Sequence, residues 1–239
     1  MKQARLAREE IARTEASKRF GKYKDEEKKE VREADVKKTE TIKEMCARWR
    51  ACDTPDSGIP EDYKYVHRFL RGIKFTAREV EEFSIALVEF QGQESEKAGL
   101  FFSVLINYGK DRDYMVHTRH MESVPDILGF NNKKNIIVNG NIGHYVGSHM
   151  RDGSLSVRGN IGNYAGNAMR NGCINIEGNA GDLLGCELRG GKIIVLENAG
   201  YRVGTVMKGG EIHIEGDIGS IGDVIHGKIF HRGKLIVDK

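Results

Sequence analysis

The sequence predicts an α+β fold: an α-helical N-terminal region followed by a parallel β-helix of about five and a half coils. Three observations predict it. A 19-residue repeat begins at Lys134. Of the chain's 29 Gly, 22 lie in that repeat region, and no Pro occurs after Pro125. Before the repeat, apolar residues recur at helical spacing instead.

Taken in chain order, residues 1–53 read as a charged arm, helical or partly disordered. The first fifty residues hold 16 Lys+Arg and 11 Asp+Glu, a surplus of +5, against +3 for the whole chain. Strong helix formers dominate, yet Leu6, Ile11, Phe20, Tyr23, Val31 and Val36 form no sustained apolar stripe. Thr54-Pro55-Asp56-Ser57-Gly58 reads as a linker. Residues 58–130 read as a small α-rich module that caps the solenoid. Pro60 suits a first helical turn ahead of Tyr65, Val66, Phe69, Leu70 and Ile73. Thr76 and Glu79 have capping-box spacing before Val80, Phe83, Leu87 and Phe90. Leu100–Ile106 predicts a third helix, and Tyr114–Thr118 a short strand.

Residues 131–239 read as the β-helix. The blocks are KNIIVNGNIGHYVGSHMRD (134–152), GSLSVRGNIGNYAGNAMRN (153–171), GCINIEGNAGDLLGCELRG (172–190), GKIIVLENAGYRVGTVMKG (191–209) and a shortened GEIHIEGDIGSIGDVIHG (210–227). Each opens with an alternating pair such as Ile136/Val138 or Leu155/Val157, the signature of a half-buried strand. Glycines follow at fixed offsets (140, 143, 147; 159, 162, 166; 178, 181, 185), where positive φ is the expected use. Two further apolar positions complete each coil: Val146, Ala165, Leu184 and Val203, then Met150, Met169, Leu188 and Met207. Nineteen residues are too few for a βαβ unit, and the leucine-rich repeat signature is missing. KIFHRGKLIVDK reads as a partial closing coil whose final strand, KLIVDK, offers an edge for self-association.

The motif G-N-x-G-x-x-x-G…M-[RK]-x-G-x-I-x-[IV]-x-G resembles the GXGXG domain of the glutamate synthase large subunit. It resembles more closely the β-helix subunit of formylmethanofuran dehydrogenase, which is largely made of such coils. The resemblance covers about residues 134–239 and implies a right-handed β-helix that serves as a scaffold, with catalysis, flavin and metals in other domains or subunits. Residues 1–130 resemble neither enzyme.

Composition narrows the function. A net charge of +3 does not by itself demand nucleic acid. Four Cys without a C-x-x-C pair make no disulfide scaffold. The N-terminus lacks the apolar core of a signal peptide, and the longest apolar run, Gly99–Ile106, is far short of the roughly 20 residues that span a bilayer. A cytoplasmic protein with no membrane partner is the expectation.

Candidate sites are weighed against structural roles. The glycine turns lead into further strands, not helices, so they are not phosphate loops. Asn141, Asn160, Asn179, Asn198 and Asp217 share one position and predict an internal amide ladder that ends or changes partner at Asp217, which cannot donate when ionised. Arg151, Arg170, Arg189 and Lys208, with His226 following, predict a basic stripe that is either a solvated face or a surface for an acidic partner. Arg5, Arg8, Arg13, Lys18, Arg19 and Lys22 are candidate phosphate contacts on the arm, though no aromatic stacking platform accompanies them. His117/His120 and His144/His149 lack the companions of a metal site. A further hypothesis, an enzyme in residues 60–130, rests only on Asp111, Asp113, His117 and His120 lying close together. Cys46, Cys52, Cys173 and Cys186 read as ordinary thiols. Glu197 in place of the expected Gly, and the residue missing between Gly219 and Gly222, read as tolerated drift or as a locally bulged binding edge.

The reading is therefore a non-catalytic scaffold that associates with a protein partner or with itself, without cofactor, metal or small-molecule ligand. Two alternatives are an accessory subunit of a larger redox or amidotransfer enzyme, and a nucleic-acid- or ribosome-associated factor using the arm.

Overall fold

Local chemistry starts each helix where the sequence signals it. The computed structural model describes residues 39–87 and 95–239. These belong to a unit running from Val36 to Lys239, so the arm residues Arg5, Arg8, Arg13, Lys18, Arg19 and Lys22, and also Phe90, lie outside the described residues. Helix α1 spans Glu40–Ala51, and the Thr39 hydroxyl accepts from the Ile42 amide at 3.3 Å. Helix α2 spans Ile59–Phe69 with Pro60 in its first turn. Helix α3 spans Ala77–Ala86, and its capping box forms in both directions between Thr76 and Glu79. Helix α4 spans Ser95–Tyr108, longer at both ends than its apolar run.

Helix α1 falls inside the range read as an arm, yet Ile42, Met45, Cys46 and Trp49 are buried at the i, i+3, i+4, i+7 spacing of one face. Its Arg48 donates to the carbonyls of Phe69 at 2.7 Å and Arg71 at 3.0 Å, meeting the end of α2 where helical carbonyls lack partners. The core among these helices is aromatic. Trp49 meets Phe101 edge-on at 5.4 Å, and Phe83 meets Phe101 and Phe102 at 5.5 and 5.6 Å.

Beyond the helices lies a parallel β-solenoid of about six turns. Strands β1 (Asp113–His117), β2 (Asn135–Asn139), β3 (Ser154–Val157), β4 (Cys173–Ile176), β5 (Lys192–Val195), β6 (Lys208–Ile214) and β7 (His226–His231) pair parallel in chain order. Inward ladders run Tyr114, Ile136, Leu155, Ile174, Ile193, Ile212, Ile229 and Val116, Val138, Val157, Ile176, Val195, Ile214. These residues are buried. A third, shorter ladder joins Ile142, Ile161, Ala180, Ala199 and Ile218.

The solenoid begins one coil earlier than the repeat. β1 pairs with β2, and the Gly147 amide donates to the Leu128 carbonyl at 2.8 Å just as Gly166 donates to Val146. Residues 113–132 are therefore a coil built without the G-N-x-G signature. At the other end KLIVDK is not a coil. It forms β8 (Lys234–Asp238), which folds back antiparallel on β7 through Arg232-Gly233, at φ 49° and 71°. Two consecutive positive φ values make the tight hairpin turn that suits strand twist.

Glycines act in two ways, which corrects the uniform expectation of positive φ. Gly166 (φ 69°) and its equivalents do use it. Gly162 does not: a Cβ there would stand 2.8 Å from the Gly143 carbonyl carbon of the coil below, so the backbones approach too closely for any side chain. The positive φ expected of that glycine falls on ordinary residues nearby, Tyr145 (56°), Tyr164 (61°), Leu183 (59°) and Arg202 (61°). The missing residue of the fifth block shows as a change of offset, from Ala199 opposite Ile218 to Val203 opposite Ile221. Glu197 leaves the stack unbroken, since Gly216 donates to its carbonyl at 3.0 Å, as Gly178 does to Gly159 at 3.1 Å.

Candidate functional site

The stacking of coils sets the predicted basic residues in one column. The amides of Arg170, Arg189 and Lys208 donate to Met150, Met169 and Leu188 at 2.8, 2.8 and 2.7 Å, each one coil below in the same register. Arg151 holds the equivalent place against Asn132, at 2.9 Å, and His226 pairs with Lys208 in the next rung. All four basic side chains are exposed. Neighbours in a solenoid stand about 4.8 Å apart, where unit charges in water repel by about 0.9 kcal/mol. Exposure therefore lets the column persist.

Its charge is uneven. Glu187 sits between Arg189 and Lys208, at 3.8 and 3.7 Å, and offsets part of both. Among the described residues the Arg151 side chain donates to a neutral acceptor, the Asn131 side-chain oxygen at 3.2 Å. Arg170 forms no ion pair among the described residues. The uncompensated half is thus Arg151–Arg170. His149 registers the field: burial chiefly, then Arg170 and Arg189, hold its imidazole below the ordinary histidine range.

The amide ladder exists but lies on the surface, contrary to the expectation of an internal one. The Asn141 side-chain oxygen accepts from the Asn160 amide at 2.8 Å, and Asn160 accepts from both nitrogens of Asn179, at 2.8 and 3.0 Å. Asn198 repeats this against Asn179, and Asp217 ends the series by accepting from Arg232 at 2.5 Å. The residues are exposed because they follow the strand, at the corner where the chain turns between two faces.

A second ladder escaped the sequence reading. His144 Nδ1 accepts from the Asn163 amide at 3.0 Å, Asn163 from Asp182 at 2.9 Å, and Asp182 from Tyr201 at 2.7 Å, while Asp126 accepts from His144 below. A polar residue three places after each ladder Asn was the available signal. Tyr145 and Tyr164 also stack, with centroids 4.6 Å apart and planes within 8°, an aromatic pair that the sequence reading did not anticipate.

Other candidates receive separate structural partners. His117 Nε2 meets the Glu81 carboxylate at 2.9 Å, His120 meets the Ser84 carbonyl at 3.1 Å, Asp111 accepts from the Ala77 amide at 2.6 Å, and Asp113 from Asn135 at 2.7 Å. These contacts tie β1 to α3 and β2 and bring no reactive set together. No group of three potential metal ligands occurs among the described residues. Cys46 and Cys52 are buried, Cys173 and Cys186 half-buried, and no disulfide joins them. Burial pushes the Cys186 thiol up, which disfavours the reactive thiolate. Among the described residues no helix is long and apolar enough to cross a bilayer.

Compared with family models, with curated proteins and with solved structures, the chain gives no match. The β-solenoid itself rests on the strand pairing described above.

Proposed function

We propose that this chain is a non-catalytic scaffold whose solenoid presents a surface for protein association. One observation carries the reading. The recurring polar residues and glycines are engaged in coil-to-coil bonds and close backbone contacts, whereas the equally regular column Arg151, Arg170, Arg189, Lys208 faces outward. Apart from Glu187, which bridges Arg189 and Lys208 between two coils, like charges in a column repel, and a partner of opposite charge relieves that repulsion. The resemblance of the repeat to β-helix modules of glutamate synthase and formylmethanofuran dehydrogenase supports the same reading, and within it the chain serves as an accessory subunit of a larger assembly.

Native affinity purification of the full chain tests this. Stoichiometric co-purifying protein is expected, and the double variant Arg170→Glu, Arg189→Glu should lose it while keeping the wild-type unfolding transition. Association unchanged by charge reversal would overturn the reading. Retention of RNA in its place, lost on deletion of residues 1–38, which leaves helix α1 and its buried face intact, would favour the nucleic-acid factor.

A further inference from the structure

We infer that the basic column takes an acidic α-helix of the partner lying along the solenoid axis. This rests on the association reading above and specifies the partner's chemistry. The column advances about 4.8 Å per coil, or about 14 Å over the three steps from Arg151 to Lys208. A helix with acidic residues alternately three and four positions apart advances about 5.3 Å per step, or about 16 Å. The flexible side chains of arginine and glutamate absorb that difference. Over the same three steps, an extended strand with every second residue acidic advances about 20 Å, and four successive phosphates of one strand of a nucleic-acid duplex about 10 Å. Both run out of register within the column's length.

Four exposed basic residues at one register position of successive coils match one stripe of carboxylates on one helix face. Glu187 refines the match. It already competes for Arg189 and Lys208, so the helix gains most from Arg151 and Arg170 and is repelled locally by Glu187.

The test uses the full chain and two side-chain-stapled acidic helices of identical composition. In one, four Glu alternate three and four residues apart, and in the other they are scattered round the helix. Fluorescence anisotropy at low salt should show the in-register peptide binding about tenfold tighter, since four exposed pairs each contribute modestly. Arg170→Gln should weaken it about threefold. Glu187→Gln should strengthen it, by about twofold, a gain that damage to the fold cannot imitate. Equal affinity for the two peptides, or no gain in Glu187→Gln, overturns the helix inference. So does a single-stranded RNA that binds more tightly than the in-register peptide. If the peptides bind equally while Arg170→Glu, Arg189→Glu still strips protein from the native complex, only the helix falls. If the native complex also survives charge reversal, the scaffold reading falls with it.

Discussion

The helical region and the solenoid bury their cores by different means. In the helices, Trp49 and Phe83 both meet Phe101 and Phe83 also meets Phe102, each pair at its own angle and with no repeating register. In the solenoid the ladders are aliphatic, and each residue stacks on its equivalent in the coil below. The first core depends on large side chains, the second on the nearness of backbones. Side-chain loss is thus the characteristic injury of one region, and side-chain gain that of the other.

The point where the regions meet should be the most sensitive. A Cβ on Gly99 of α4 would stand 1.5 Å from the Asp126 carbonyl oxygen of the first coil. Gly99→Ala should therefore lower stability by about 4 kcal/mol or prevent folding, read from the urea midpoint or from soluble yield. An unchanged midpoint would show that the regions do not meet so closely. Within the helices, Phe101→Ala should lower stability by about 3–4 kcal/mol. Within the solenoid, Gly162→Ala should lower it by about 2–3 kcal/mol although it removes nothing, because the coils must separate. If Gly162→Ala proved harmless, the contrast between the two cores would collapse.

Smaller effects sharpen the contrast at the surface. Asn179→Ala removes a rung that both accepts from Asn198 and donates to Asn160. Because the ladder is exposed and water can replace it, the loss should be about 1 kcal/mol in thermal or urea unfolding. The mildest test is by pH. His149 and His213 are both held below the ordinary value of 6.5, chiefly by burial. A depressed imidazole pKa favours the neutral ring in the folded state, so their contribution is fully present above 6.5 and declines as pH falls below it. The unfolding midpoint should drop between about pH 7.5 and 5.5. Removing a neighbouring positive charge by Arg170→Gln should raise the His149 titration midpoint in proton NMR. A fixed midpoint would mean that the column exerts no field there.

The repeat made the solenoid legible because each coil restates the same pattern of alternation, glycine and apolar position. Ladders at Asn141 to Asp217 and at Arg151 to Lys208 follow from that period alone. The first coil was not legible, since Pro125–Asn132 reaches the same path by backbone bonds to α4 and to residues 143–152 of the next coil instead of by motif. Nor was the turn of β8, where Arg232-Gly233 reverses the chain just as the repeat ends. Helix α1 was obscured by its charged neighbours: its Ile42, Met45, Cys46 and Trp49 gain meaning only against Phe101 and α3.

Sequence alone thus determined the coil period, the residues that share a column and the capping of α3, because short-range spacing and local hydrogen bonding settle those. Tertiary structure alone decided which glycines are needed for φ and which for lack of a Cβ. It also decided that the amide ladder lies outside, and that Glu187 shields one half of the basic column while leaving Arg151 and Arg170 uncompensated. Those outcomes depend on distances between coils 19 residues apart, and such distances exist only once the backbone has closed its turns.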